Sequence, residues 1–406
     1  MRLLLRLVTL GIAIFFASEI ASTQGSPAFQ FQFTEKPGPY AVGIKVVKQY
    51  DRSRKFQVTV DSSNGASATD SPRPLQTLVW YPAEKSSQRP MSFGDYAELI
   101  KTETSFDKPV EQGKPQSFVE AFMHGTEDLY AWAVRDAVVK AGHFPLVIYA
   151  PSVNAPATEN IELCEYLASE GFVVIASPSM GAMSRTMTVD IAGANAEAQD
   201  ISFLIDYAKS LPDSDMSEVA AMGYSWGGMG ALFAAARDQR IRALISVDGS
   251  FRYSPETVRQ AGDIHPDQMM IPLLVFSRAE ESLEAWDAMR KDRDHCNCSP
   301  NVLNEWTRGD LVHVQMLGIS HIQFSSLYQR SERFKREGMH FVPADYSLEE
   351  GAASYNWMAR YAIEFLNAYL KNDQAAHHIL GQGTLQNGVP KHLLSVSVRL
   401  AGAKHE

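Results

Sequence analysis

The residues best placed to do chemistry lie in Val219-Ala220-Ala221-Met222-Gly223-Tyr224-Ser225-Trp226-Gly227-Gly228-Met229-Gly230. A short apolar run ends in Gly-x-Ser-x-Gly, and a small-residue run of helical character, Met229 to Arg237, follows. Strand, tight turn and helix together make this motif a nucleophile elbow. Gly223 and Gly227 lack Cβ atoms and let neighbouring chain pass close by. The turn lifts the Ser225 hydroxyl out of the sheet and points the next amide, that of Trp226, at the same space. A serine hydroxyl is a poor nucleophile near neutral pH unless a base takes its proton. A carboxylate must in turn hold that base in the right tautomer. The sequence therefore has to supply a histidine and an acid as well.

Position selects among the eleven histidines. After an elbow serine the partners follow in chain order, carboxylate before histidine, on loops at the carboxyl ends of later strands. His321, in Leu317-Gly318-Ile319-Ser320-His321, falls just past a strand expected over Leu311 to Met316. His313 lies inside that strand and reads as a packed residue, and His340 is the reserve base. The acid has two addresses. Asp248 ends the strand Ile241 to Val247 and leads into Gly249-Ser250. Glu280 and Glu281 follow the next strand, Ile271 to Ser277, which is the more usual place, but they sit in a charged stretch that reads as a solvated turn. A short side chain directly off an apolar strand loses less entropy when fixed, which favours Asp248. The negative charge that develops during acyl transfer needs two backbone donors. These are the amide of Trp226 and, from Pro151-Ser152-Val153-Asn154, that of Val153. Such a set works without metal or cofactor.

The elements that must hold these residues come in a regular rhythm. Pro145 to Ala150, Phe172 to Ala176, Ile241 to Val247, Ile271 to Ser277 and Leu311 to Met316 read as strands. Helices over Glu159 to Glu170, over Ala194 to Ser210 and after the elbow separate them. Strands apolar on both faces that alternate with helices imply a mostly parallel sheet covered on both sides, an α/β fold. Earlier, Gly43 to Gln49, Phe56 to Val60 and Leu75 to Tyr81 read as antiparallel edge strands, with a polar turn region from Ser62 to Pro74. Met91 to Ala141 reads as a helical insertion, with segments at Phe118 to Met123 and Leu129 to Lys140. Its aromatics (among them Phe93, Tyr96, Tyr130 and Trp132) suit either a cover over the pocket mouth or packing on the sheet edge. The last long helix is Ala352 to Leu370. The extension 372–406 carries one alternating run, Leu394 to Leu400, as an edge strand.

Composition bounds the rest. Arg2 and Arg6 precede an apolar run, Leu7 to Ala17, and then Ala21, Ser22 and Thr23, the pattern of a secretory signal peptide over residues 1–25. The run is short for a membrane span, and an uncleaved anchor is the alternative. The single domain expected after it, 26–406, has 45% hydrophobic residues across the chain from which to build a core. A net charge of -10 argues against nucleic acid and anionic membrane surfaces as partners. Three cysteines cannot make a disulfide framework. Cys164 shares an apolar stripe with Ile161, Leu167 and Ala168 and reads as a buried thiol. Cys296 and Cys298, near Asp294 and His295, form an incomplete ligand set and read as a polar loop rather than a metal site.

Taken together, these motifs resemble the dienelactone hydrolase-like and platelet-activating-factor acetylhydrolase-like branches of the α/β-hydrolase superfamily. The likeness runs over roughly residues 40 to 375, through Leu78-Val79-Trp80-Tyr81-Pro82-Ala83, Asp200-Ile201-Ser202-Phe203, the elbow, Ser320-His321-Ile322-Gln323-Phe324 and Phe365-Leu366-Asn367-Ala368-Tyr369-Leu370-Lys371. In the acetylhydrolase-like branch the acid follows the strand right after the elbow helix, which again points to Asp248. The chain departs from the common pattern at Pro151 and Ser152, where a His-Gly pair usually opens the loop. Dienelactone hydrolases proper use a cysteine nucleophile, so a dienelactone substrate is not implied. The expectation is an exported serine ester hydrolase acting on a small-molecule or lipid ester. An acyltransferase with the same triad, or a non-catalytic binding protein on this scaffold, are the alternatives. The specific ester and the oligomeric state stay open.

Overall fold

The runs that are apolar on both faces form the centre of one sheet. The computed structural model describes residues 29–60, 67–106, 126–279, 301–331, 334, 343 and 345–402. Residues 31–406 make one compact unit. Its strands are β1 Ala41–Val60, β2 Ser67–Ala83, β3 Val134–Arg135, β4 Phe144–Ala150, β5 Val173–Ala176, β6 Ser214–Tyr224, β7 Ile241–Val247, β8 Leu273–Arg278, β9 Leu311–Met316 and β10 Leu394–Arg399. Their order across the sheet is β10-β9-β8-β7-β6-β4-β5-β2-β1-β3. From β5 to β9 every neighbouring pair is parallel, while β2 and β10 join antiparallel at either side. Every residue of β4 and β5 is buried, so both faces of the sheet are covered there.

The helices are α1 Phe93–Ile100, α2 Ile161–Ser169, α3 Ile191–Ala208, α4 Trp226–Arg237, α5 Pro255–Gln260, α6 Val302–Glu305, α7 Ser326–Arg330, α8 Leu348–Leu370 and α9 Gln374–Gly381. Asp190 caps α3 by accepting from the Gly193 amide, and a Ser347/Glu350 capping box opens α8. Among the described residues no helix is long and apolar enough to cross a membrane. The residues expected to form a signal peptide lie outside the described ones.

Three expectations change. The two early strands are one, β1, interrupted only by a bulge between Asp51 and Lys55, and β2 starts inside the expected turn region. The segment Leu129 to Lys140 is extended rather than helical. Its backbone bonds outward, from Ala131 N to the Met91 carbonyl (3.0 Å), Asp136 N to Ile44 (2.8 Å) and Lys140 N to Pro82 (2.9 Å). Val134 and Arg135 join the sheet as β3, beside β1. An open sheet edge offers partners that an isolated periodicity does not reveal. The expected helix Phe118 to Met123 lies outside the described residues, as do Cys296 and Cys298. Cys164 is a buried free thiol.

One buried ion pair ties the hairpin to the parallel core. Arg73, on β2 and wholly buried, donates to both carboxylate oxygens of Asp200 on α3, at 2.8 and 2.5 Å. It also donates to the carbonyls of Met180 and Gly181, at 3.0 and 2.5 Å, and Arg54 bonds the same carboxylate at 2.6 Å. Removing one partner would leave a guanidinium without its counter-charge in the interior. Asp200→Ala is therefore expected to lower unfolding free energy by about 3–5 kcal/mol in a denaturant titration. A loss below about 1 kcal/mol, the size of an exposed pair, would show that water or Asp51 takes over the Arg73 charge.

Candidate active site

The turn between β6 and α4 holds Ser225 at φ 53° and ψ -118°, a left-handed conformation unusual for a residue with a side chain. Close approach explains the flanking glycines. A Cβ on Gly223 would lie 2.2 Å from the Gly227 carbonyl oxygen, and one on Gly227 2.2 Å from that of Ala150. The Ser225 amide donates to Val247 O at 3.0 Å, and its carbonyl accepts from Gly228 N at 3.1 Å and Ser250 N at 2.8 Å.

Around this serine the structure gathers two of the residues singled out in the sequence. His321 Nε2 lies 2.9 Å from Ser225 Oγ, and His321 Nδ1 lies 2.5 Å from Asp248 Oδ2. His321 opens a 3-10 turn, His321–Phe324, whose start is fixed by a capping box between Ser320 and Gln323. The Tyr224 phenol donates to the His321 carbonyl at 2.7 Å, and the two rings lie 5.3 Å apart. Asp248 leaves β7 with φ 43° and is anchored by its amide, which donates to Phe276 O at 2.8 Å.

The Asp248 carboxyl is fully enclosed. Burial alone would raise its pKa, but the hydrogen bond and charge of His321, the Tyr253 phenol and the Arg278 guanidinium outweigh this and hold it below the usual value. Tyr253 donates to Oδ1, the Arg278 amide reaches Oδ1 at 3.4 Å, and Arg278 Nε lies 3.9 Å from Oδ2. The Arg278 guanidinium lies 4.9 Å from the Tyr253 ring centre. Tyr224, Tyr253 and Arg278 were not foreseen. Tyr224 and Arg278 border candidate motifs, but no local pattern marks Tyr253, which reaches back across a turn.

The remaining candidates sort themselves by position. His313 is bonded through Nε2 to Ser277 Oγ at 2.8 Å, and burial, with Arg252 nearby, pushes it down to about 4. It is a packed residue, as expected. His340, Glu280 and Glu281 lie outside the described residues. Trp226 follows Ser225 as the first residue of α4. Val153 sits in the loop after β4 and is 38% exposed. That loop presses on the elbow, with the carbonyls of Ala150 and Pro151 against Gly227.

The loop is braced from two more sides. Arg185 donates to the carbonyls of Ser179 at 2.7 Å and Asn154 at 3.2 Å, and it pairs with Glu103 at 3.1 Å. Glu103, in the insertion, also accepts from the Ala157 amide at 3.1 Å. Burial raises Glu103 to about 7 against the pull of Arg185. The described parts of the insertion are pinned to the body elsewhere too. Trp80 donates to the Tyr96 phenol at 2.9 Å, which donates to Glu165 at 2.5 Å.

Comparison with known proteins bears on the fold and on the class of chemistry. No curated protein matches the sequence. In structure, the chain is similar to a ferulic acid esterase from Streptomyces cinnamoneus, with a TM-score of 0.59 at 16% identity over 85% of this chain and 94% of that one. The profile of the peptidase S15 family, described as X-Pro dipeptidyl-peptidase, matches residues 75–384, more than half of the chain. The span includes the elbow, Asp248 and His321. The protein thus has the α/β-hydrolase fold and is a serine hydrolase belonging to the S15 family of X-Pro dipeptidyl-peptidases.

Proposed function

We propose that this protein is an exported serine hydrolase that cleaves carboxylic esters through an acyl-enzyme on Ser225. The observation that carries the reading is the unbroken relay Ser225 Oγ to His321 Nε2 and His321 Nδ1 to Asp248. In the first half-reaction His321 takes the Ser225 proton as Oγ attacks the acyl carbon. The imidazolium then gives that proton to the departing alcohol oxygen. Water enters and repeats the sequence, releasing the acid and restoring Ser225. Asp248 keeps the Nδ1 proton in place and offsets the imidazolium charge. The amides of Trp226 and Val153 receive the charge on the former carbonyl oxygen.

Two observations bear on the acyl group's partner. The likeness to ester-cleaving branches in the elbow and histidine loop supports an ester. The S15 match supports a second reading, a peptide with proline before the scissile bond, since the same relay protonates an amine as readily as an alcohol. A panel of p-nitrophenyl esters of rising chain length and Xaa-Pro p-nitroanilides separates the two. Ester turnover exceeding anilide turnover in kcat/KM, and abolished by Ser225→Ala, is expected. The reverse preference would move the protein to the peptidase reading. Absence of both activities, with no fluorophosphonate labelling of Ser225, would leave a binding protein.

The acid is tested separately. Asp248→Asn should stay folded and lower kcat by about 10⁴, the effect of losing a tautomer-setting carboxylate. Glu280→Gln and Glu281→Gln should stay within about tenfold of the parent. The opposite pattern would place the acid after β8. Export rests on the amino-terminal pattern of Arg2, Arg6 and the apolar run. N-terminal sequencing of protein recovered from a secreting host should begin just after the small residues around Thr23 to Gly25. An intact Met1 in active, membrane-bound protein would point to an anchor instead.

A further inference from the structure

The loop that carries Val153 is gripped by a wholly buried acid that the sequence pattern did not mark, Glu159. Its Oε1 accepts from the Ser152 hydroxyl at 2.5 Å and its Oε2 from the Ser152 amide at 2.7 Å. The Tyr149 phenol approaches Oε2 at 3.4 Å. The Glu159 carbonyl accepts from Leu327 N at 3.1 Å and Ser325 Oγ at 3.2 Å, both just past the His321 turn. The next residue, Asn160, donates to Phe324 O at 3.1 Å and accepts from Ser326 N at 2.8 Å. Two consecutive residues ahead of α2 thus hold both the loop after β4 and the chain after the base.

We propose that ionised Glu159 is a positioning residue for oxyanion binding: its double grip on Ser152 orients the Ser152–Val153 peptide, and so aims the Val153 amide at the charge formed beside Ser225. This rests on the serine-hydrolase mechanism above. A peptide unit is planar, so the direction of the Val153 N–H follows from how Ser152 is held. Gly227, packed against Ala150 and Pro151, fixes the same loop on its other flank. The Ser152 amide needs an acceptor, and the Ser152 hydroxyl donates to a second one. A carboxylate supplies two charged acceptors. The protonated acid keeps the hydroxyl contact only by reversing it, its own O–H donating to Ser152 Oγ, and offers the amide a weaker, uncharged acceptor.

The surroundings place that change near neutrality. Burial pushes Glu159 up to about 7, against the hydrogen bonds of Ser152 and Tyr149 and the charge of His321. The titratable groups facing it are Tyr149 from β4, Tyr224 from the end of β6, Cys164 from α2 and His321 from the turn after β9. Of these, a protonated His321 favours the ionised grip.

Kinetics on p-nitrophenyl acetate, together with inhibition by an aryl trifluoromethyl ketone, test the proposal, because the ketone's adduct with serine carries an oxyanion. Glu159→Gln should lower kcat by about 10², the range for one oxyanion donor, with KM within about threefold. The ketone's Ki should rise by about the factor that kcat/KM falls, and Glu159→Asp should recover part of both. The acid limb of the kcat profile should lose a group titrating at about 7 in the parent. A folded Glu159→Gln protein with kcat and Ki both within about threefold of the parent overturns the proposal. Should that variant fail to fold, Ser152→Ala decides. A loss of about tenfold in kcat with matching loss of ketone affinity supports the idea, and an unchanged Ki sinks it. Ser225→Ala separates the two levels. If it stays active, the serine mechanism itself fails. If it is dead while the Glu159 and Ser152 variants are normal, only the positioning role falls.

Discussion

The backbone of Ser225 is the constraint on which the rest of the site depends. A side-chain-bearing residue at φ 53° and ψ -118° costs on the order of 1–3 kcal/mol and persists only where its surroundings over-determine it. Here the surroundings are specific. Its amide is taken by Val247, the last residue of β7, and its carbonyl by Ser250, just beyond Asp248. The bonds that hold the strained serine therefore also fix the turn that carries the acid. Asp248 itself has φ 43° and is pinned by Phe276 of β8, so the two unusual residues lean on adjacent parallel strands. Sheet register, rather than loop flexibility, sets the distance from nucleophile to acid.

The histidine is registered from the same strand. Tyr224, immediately before Ser225, sends its phenol to the His321 carbonyl, while its ring lies beside the imidazole. Any shift of β6 along its axis would move nucleophile and base together. The chain after His321 is then fastened to Glu159 and Asn160, which ties it to the loop after β4. The four segments that meet at the site are thus joined to one another by directional bonds, and each bond is satisfied inside the protein.

What the sequence disclosed follows from which interactions are local. The strands β4 and β7 were readable because burial on both faces leaves runs of mostly apolar residues, with Arg242 the exposed exception in β7. β9 was readable because apolar residues alternate with the half-buried His313 and Gln315. The bounds of all three fall within a residue or so of those expected. Ser225 was readable because the elbow needs glycines at fixed offsets. His321 and Asp248 were chosen by chain order and strand ends, and the structure puts both within hydrogen-bonding distance of their neighbours in the relay. Leu129 to Lys140 misled because its apolar spacing fits a helix, while its backbone partners, Met91, Ile44 and Pro82, lie far away in the chain. Glu159 and Tyr253 left no mark for a different reason: their partners, Ser152 and Asp248, are near in the chain, but the turns that bring them together follow no residue pattern that marks the contact.

The buried acids set fold and site against each other as pH changes. Burial lifts Glu103, Glu159 and Glu165 to about 7 and Glu197 to about 8, all above the value of 4.5 taken for an exposed glutamate. A carboxyl raised in the folded state binds its proton more tightly there than in the unfolded chain. Its contribution to stability is complete below the unfolded pKa and is lost as pH rises through the folded one. These four groups therefore favour the fold on the acid side and weaken it on the way to pH 7 or 8. The chemistry asks for the opposite, since Ser152 needs an ionised Glu159 and Ser225 needs an unprotonated His321. Partners from several segments keep the ionised forms tolerable: Ser152 on Glu159, Tyr96 and the Trp132 amide on Glu165, Arg185 on Glu103, and Ser179 on Glu197. Apolar residues in their place would hold the helices at least as firmly. Apolar contacts, however, do not specify the direction of a neighbouring amide, and the loop after β4 depends on that direction.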